Sequence, residues 1–98
     1  MIQSLVDDPK FEWDKGNVGH LARHNVSQSE AQDAILDTHA IMLEIQTGEE
    51  ERLQAVGATG AGRIIAVVFT LRDEVIRPIT ACDAPVRMQQ IYLRGGLT

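Results

Sequence analysis

The sequence predicts an α+β fold, in which two N-terminal helices pack on a small, mainly antiparallel sheet that is followed by a short C-terminal helix. Three observations predict it: apolar residues recur at helical spacing before residue 37, alternate with polar residues from residue 41, and run unbroken from Ile64 to Phe69. This last run is rich in β-branched residues, which is typical of a strand buried on both faces. We therefore expect it at the centre of the sheet.

Length and composition limit the classes of protein to consider. The chain has 98 residues, 44% of them hydrophobic, which suits one small domain over residues 1–98, with a lead-in at 1–10 and a frayed tail at 95–98. A net charge of −5 argues against a broad polyanion-binding surface, since such surfaces depend on Lys and Arg. Because Cys82 is the only cysteine, an intramolecular disulfide is excluded. With no membrane-length apolar run and no signal-peptide pattern, we expect a cytoplasmic protein with no membrane association.

The first helix is predicted to follow a short extended segment at residues 11–13. Asp14 can cap its N-terminus, and Asn25 is suited to a left-handed stop at its C-terminus. Val18, Leu21 and Ala22 recur at helical spacing between them, and we expect these three side chains to face the core.

The second helix is predicted from a capping box in which Ser27 and Glu30 satisfy each other's backbone amides. Ala31, Ala34 and Ile35 then supply the buried stripe.

A meander of strands is predicted to follow. From Ile41 the pattern has period two, with residues 41, 43 and 45 on the buried face and 42, 44 and 46 on the polar one. Pro78 cannot donate a ladder hydrogen bond, so the last strand is either an edge or irregular there. The remaining predicted elements are a turn at 47–50, a strand at 52–58, a turn at 59–62, the central strand from 64 and a last strand ending near 81.

A short terminal helix is predicted to open at Asp83 or at Ala84 and Pro85. Pro85 suits its first turn, because a first-turn amide has no partner within the helix. Val86, Ile91 and Tyr92 are the residues expected to pack.

Arginines mark the candidate site. Arg63 and Arg77 each stand near the beginning of a predicted central strand, and Arg52 follows the acidic run 49–51. A guanidinium presents a planar fork of donors that matches phosphate oxygens. The alternative is that each arginine is an ordinary strand-end residue paired with a carboxylate, and that the acidic run is a solvated turn instead of a source of a general base.

Histidines offer a second kind of chemistry. His20 and His24 stand four residues apart on one helix face, a spacing that suits acid–base work or metal binding. No third ligand has a convincing spacing, so packing and capping roles are favoured, and we expect no metal or other cofactor. Cys82 has no evident His or Asp partner and is interpreted as a packing residue.

In order and spacing, the chain resembles the BrnT-type toxins of bacterial type II toxin–antitoxin pairs over roughly residues 11–92. The matching pieces are Phe11-Glu12-Trp13-Asp14, Gly16-Asn17, His20, Ala22-Arg23-His24-Asn25-Val26-Ser27, Glu51-Arg52, Gly57, Gly62-Arg63, Val67-Val68-Phe69-Thr70 and Ile76-Arg77-Pro78-Ile79-Thr80-Ala81.

The resemblance implies a RelE-like α+β fold and a ribonuclease that blocks translation. It also implies an RNA substrate and a cognate antitoxin partner similar to BrnA, and it leaves open a homodimer or a heterotetramer with the antitoxin. Carried over residue by residue, it makes Arg52, Arg63 and Arg77 candidate catalytic residues, with His20 or a nearby carboxylate moving protons.

This chain departs from the family pattern near its C-terminus. Cys82 stands where the pattern continues with arginine, the last helix has few charged residues, and Asn17 replaces an early lysine. The alternative to an enzyme is therefore a catalytically inactive relative that acts only as a binding partner of an antitoxin-like protein.

Overall fold

A computed structural model describes residues 9–47 and 50–96 of the chain, without the side chains of residues 46, 47 and 50. These residues form five strands and three helices with the loops that join them, which confirms the predicted α+β class. The strands are β1 (Lys10–Phe11), β2 (Ile41–Thr47), β3 (Glu50–Ala58), β4 (Ile64–Arg72) and β5 (Val75–Asp83), and the helices are α1 (Lys15–Arg23), α2 (Gln28–Leu36) and α3 (Val86–Leu93).

The sheet has the order β1-β5-β4-β3-β2, so β4 lies at its centre as predicted. Strands β2 to β5 form an antiparallel meander, and β1 adds in parallel beside the start of β5. On β4, Ile65, Val67 and Phe69 are fully buried in the larger core cluster on one face, and Ala66, on the other face, is 3% exposed and belongs to a second cluster. The unbroken apolar run therefore does belong to a strand that is covered on both faces.

Helices cover the two faces of the sheet unequally. The first face packs against α1 and α2, whose Leu21, Ala31, Ala34 and Ile35 join the larger core cluster. The second face carries a smaller cluster beneath α3, which includes Ile41 and Val56. Met42, predicted on the polar face of β2, instead packs against the larger cluster. The predicted alternation thus identified the strand but missed that both of its faces are partly buried.

The predicted ends of the first two helices are confirmed. Asp14 and Ser27 are both N-cap residues within complete capping boxes, and Asn25 takes a left-handed conformation with φ of 63° after α1. The predicted apolar stripe of α1 is wrong at one position, because Ala22 is exposed. Asn17 is buried in α1 alongside Leu21.

The start of the terminal helix differs from the prediction. Pro85 is the N-cap of α3 and so precedes its first turn. Val86, expected to pack, is 70% exposed, whereas Ile91 and Tyr92 do contact the smaller cluster. None of the three helices in the described ranges has the length and apolar character needed to span a membrane.

Hydrogen bonds close the far end of α3. The Gly95 and Gly96 amides donate to the carbonyls of Tyr92 and Ile91, at 3.1 and 2.9 Å. Both glycines have positive φ, as this type of helix ending requires. The expected frayed tail thus begins with two residues that are tied to the helix, and its residues 97 and 98 lie outside the described part of the chain.

The last strand was predicted to be either an edge strand or irregular at Pro78. It is an interior strand that is irregular at Pro78. Phe69 pairs with Pro78 and Val68 with Thr80, so the register shifts and Ile79 is left without a direct partner on β4. A bulge of this kind kinks a strand and redirects its side chains. The predicted turn at 47–50 cannot be compared, because residues 48 and 49 lie outside the described ranges.

Candidate functional site

Arg77 is held on β5, beside the chain that follows β1, by two acidic side chains. It lies on β5 opposite Thr70 of β4, and β1 brings the following chain alongside it. Its Nη1 atom is 2.9 Å from Asp14 Oδ2 and 3.7 Å from Glu12 Oε1. The arginine side chain is 33% exposed, and both carboxylate side chains are more than half exposed. The charged group is therefore oriented without being sealed from solvent.

An open cleft of about 740 Å³ lies beside this ion pair. It is formed by the end of β1, by the two residues that follow, and by β4 and β5 together with the turn that joins them. Its lining residues are Phe11, Glu12, Trp13, Thr70, Arg72, Asp73, Val75, Arg77 and Ile79. Aromatic, cationic and anionic side chains thus meet in one cleft, and the bulge at Pro78 contributes Ile79 to its wall.

The electrostatics keep Asp14 and Arg77 charged at neutral pH. The hydrogen bond from Arg77, followed by the one from the Asn17 backbone amide, holds the pKa of Asp14 below its usual value of 3.8. The hydrogen bond to Asp14 in turn raises the pKa of Arg77. Asp14 is therefore a carboxylate that orients the guanidinium, and it is poorly suited to taking a proton near neutral pH.

Asn17 ties the backbone segments of this cluster together. Its Oδ1 accepts a hydrogen bond from the Asp14 amide at 2.8 Å, and its Nδ2 donates to the carbonyls of Glu12 and Pro78 at 2.9 and 3.0 Å. The side chain is only 4% exposed. In the sequence, Asn17 stands out only as a departure from the family pattern. The spacing Asp14-x-x-Asn17, an N-cap followed by a polar third helical residue, is the signal that could have revealed it.

Arg52 lies on the same face of the sheet as Arg77. Leu53 packs into the larger core cluster, so its neighbour Arg52 projects from the opposite face of β3. Leu53 pairs with Phe69, and Thr70 pairs with Arg77. Continuing the ladder by one residue places Arg52 beside Thr70, with the backbones of the two arginines two strand spacings apart, roughly 10 Å.

Arg63 lies at the other end of the sheet. It precedes β4 by one residue, and Thr70 lies seven positions further along the chain, roughly 23 Å away at about 3.3 Å per residue. Since β4 and β5 are antiparallel, arginines near the beginning of each strand fall at opposite ends. The structure therefore brings Arg52 and Arg77 onto one row but does not bring Arg63 to them.

Arg63 is engaged by three partners where it lies. Its Nε donates to Asp83 at 2.8 Å, and its Nη1 donates to the Asn25 carbonyl at 2.7 Å and to Glu30 at 3.1 Å. These contacts join the left-handed residue after α1, the first turn of α2 and the end of β5. The hydrogen bond to Asp83 is the largest cause that raises the pKa of Arg63.

The other predicted site residues are more dispersed. His20 is exposed on α1, and its ring centroid lies 5.6 Å from that of His24 in a tilted arrangement. Within residues 9–47 and 50–96, no group of three His, Cys, Asp or Glu side chains has a geometry for binding a metal ion. Cys82 is exposed near the end of β5, so its interpretation as a packing residue is wrong. Glu51 is also exposed, and Glu49 lies outside the described ranges.

Asp37 forms a second hydrogen-bonded centre that sequence reasoning missed. Its Oδ2 accepts hydrogen bonds from the Tyr92 hydroxyl and, at 2.9 Å, from the Ala58 amide, while Oδ1 accepts from the His39 amide at 2.9 Å. Burial alone would raise the pKa of Asp37, but these donors outweigh it and lower that pKa. The hydrogen bond from the Tyr92 hydroxyl to Asp37 raises the pKa of Tyr92 to about 12. This centre fastens α3 to the end of α2 and to β3.

Comparison with known proteins gives one informative match. A search of curated proteins finds no match to the chain. The model of the family described as ribonuclease toxin, BrnT, of type II toxin-antitoxin system matches residues 13–87. That span is well over half of the chain and includes His20, Arg52, Arg63 and Arg77. The chain therefore belongs to the BrnT family of ribonuclease toxins from type II toxin–antitoxin systems.

Proposed function

We propose that this chain is a cytoplasmic ribonuclease toxin that cleaves RNA by metal-independent acid–base chemistry and so inhibits translation. The observation that carries the proposal is the pair Arg52 and Arg77 on one row of the sheet, with Arg77 oriented inside a cleft. A BrnA-like antitoxin is the partner that would silence it, since a type II family implies a protein antitoxin.

In this proposal Arg77 binds the scissile phosphate. RNA cleavage without a metal needs cations that stabilise the negative charge that builds up on the phosphate oxygens. Arg77 can turn part of its fork of donors from Asp14 to those oxygens, because Arg77 lines the cleft and its side chain is 33% exposed. We propose that Arg52, across Thr70, contacts the same or the adjacent phosphate. Losing one such stabiliser costs on the order of 10²–10³ in rate.

Proton transfer is proposed for a carboxylate or a histidine near this phosphate. The 2′-hydroxyl oxygen attacks phosphorus while a base takes its proton, and the leaving 5′-oxygen receives a proton from an acid. Glu12 lines the cleft beside Arg77 and is the nearest carboxylate that is available as the base. His20 is the alternative proton carrier, at the exposed surface of α1.

A second candidate function is binding an antitoxin without cleaving RNA. It is favoured by the number of anions around the arginines, since Arg63 and Arg77 each contact two carboxylates and the net charge is −5. These anions compete with RNA phosphates for the same donors. In this case the chain would retain the fold of a toxin and its antitoxin surface while lacking its activity.

The deciding experiment is controlled expression in a bacterial host, followed by mapping of cut RNA. The chain should arrest growth, and Arg77→Ala and Arg52→Ala should each relieve the arrest while accumulating as folded protein. The matched control is Arg87→Ala, because Arg87 is an exposed arginine on α3 that lies outside the cleft. Full toxicity of both site variants would refute the assignment of roles. Folded wild-type protein that neither slows growth nor cuts RNA would favour the binding function.

A further inference from the structure

We propose that Asn17 is a positioning residue that sets the direction of the Arg77 guanidinium, an inference that rests on the proposed function of Arg77. The side-chain hydrogen bonds of Asn17 go to Asp14, Glu12 and Pro78 and not to Arg77 itself. It acts through the two segments on either side of the arginine, one that supplies the carboxylates and one that carries the arginine. Nothing in the family match assigns it this role.

The hydrogen-bonding capacity of the Asn17 side chain is almost fully used. Its amide has two donors and an acceptor oxygen, and all three groups have partners at 2.8 to 3.0 Å. The side chain is 4% exposed, so water cannot replace these partners if one is lost. A network of this kind holds its partners in one arrangement.

The partners of Asn17 are the neighbours of the Arg77 ion pairs. One donor binds the carbonyl of Glu12 and the acceptor binds the amide of Asp14, so both residues that pair with Arg77 are fixed through their backbones. The second donor binds the carbonyl of Pro78, the residue next to Arg77. One buried amide thus holds the carboxylates and the arginine in a fixed relation.

Backbone pairing between strands does not hold these two segments together beside Arg77. β1 contains only Lys10 and Phe11, and the last backbone hydrogen bond to β5 runs from the Glu12 amide to the Ile76 carbonyl at 2.9 Å. Beyond that point the chain turns into α1, and β5 bulges at Pro78. Beside Arg77, the two segments are instead joined by the hydrogen bonds of the Asn17 side-chain amide to the Glu12 and Pro78 carbonyls.

The test compares Asn17→Ala and Asn17→Ser with wild type. Serine offers a single hydroxyl in place of the amide and cannot donate to both the Glu12 and Pro78 carbonyls, whereas alanine offers no side-chain partner at all. Gln89→Ala is the matched control, because it removes a side-chain amide that donates to a backbone carbonyl, that of Ala84, beneath α3. Cleavage of a labelled single-stranded RNA and titration of the Asp14 carboxyl by NMR are measured for each.

We expect folded Asn17 variants to cut RNA about 10²-fold more slowly, which is the size of effect that a misplacement of about 1 Å can produce. Their Asp14 pKa should rise toward 3.8, because Arg77 no longer stays in place beside the carboxylate. Combining Asn17→Ala with Arg77→Ala should slow cleavage no more than Arg77→Ala alone. Gln89→Ala should change neither quantity.

The outcomes separate this inference from the proposed function. If wild-type protein cuts no RNA, the proposed function fails, while the Asp14 titration still decides whether Asn17 orients the ion pair. If wild type cuts RNA but folded Asn17 variants cut equally well with an unchanged Asp14 titration, the positioning role is refuted. If neither Asn17 variant folds, the role of Asn17 is only structural and the inference is abandoned.

Discussion

Replacing Arg63 should reduce stability more than any other single arginine replacement considered above. Arg63→Ala removes a charge-assisted hydrogen bond to the Asn25 carbonyl, worth about 1.5 kcal/mol. The ion pair with Glu30, whose two side chains are 27% and 30% exposed, adds about 0.5 kcal/mol. Asp83 is 69% exposed, so its loss adds little. The sum is about 2 kcal/mol, or a fall of roughly 8–16 °C in Tm for a domain of this size.

Thermal and denaturant unfolding, followed by circular dichroism, measure this change. Arg63→Lys should recover less than half of the loss, because a single ammonium cannot reach three partners at once. Arg77→Ala is the matched arginine replacement, and it should lower the free energy of unfolding by less than Arg63→Ala, since Asp14 and Glu12 are more than half exposed. An Arg63→Ala protein that unfolds at the wild-type temperature yet cuts no RNA would refute the structural role and restore Arg63 to the active site.

Two further predictions concern the scaffold. Tyr92 is the only tyrosine, so the ultraviolet absorbance of the phenolate should report a pKa of about 12 in the folded protein, and Asp37→Asn should return it toward 10. Because the folded pKa lies above the unfolded one, this contribution to stability is complete below pH 10 and is lost as pH rises toward 12; an unshifted titration would disprove the contact. Gly57→Ala should cost about 3 kcal/mol in denaturant unfolding, because its Cβ would lie 2.2 Å from a backbone oxygen of α2. The matched change Gly19→Ala, whose Cβ meets nothing within 4 Å, should instead stabilise α1 by about 0.5–1 kcal/mol, and equal effects of the two substitutions would contradict the packing described.

Local rules predicted much of the fold. The apolar run at Ile64 predicted the central strand because a strand covered on both faces has no polar side. The helix caps at Asp14 and Ser27 could be predicted because their hydrogen-bond partners lie within four residues along the chain. The burial of Asn17 could not be predicted in the same way. Two of its partners are local, but the Pro78 carbonyl comes from a strand that lies far along the chain.

The sequence could predict which residues belong to the candidate site, but not how these residues are arranged in space. The family pattern selects Arg52, Arg63 and Arg77, but it says nothing about direction along the sheet. Whether two strand-end arginines meet depends on strand orientation, and the antiparallel pairing of β4 with β5 separates Arg63 from Arg77. The ion pair of Arg77 with Asp14 also depends on β1 adding in parallel beside β5, for which a strand of two residues offers almost no sequence signal.

The parallel pairing of β1 with β5 also sets an order of events during folding. Strands β2 to β5 follow one another as a meander and can form through short loops, whereas β1 must wait to pair residues 10 and 11 with residues 75 and 76. A chain leaving the ribosome exposes its N-terminal end first, so Glu12 and Asp14 reach Arg77 only after β5 has been made. We therefore expect the cleft beside Arg77 to form later than the pairing of β2 with β3, and a nascent chain to lack it until β5 has emerged.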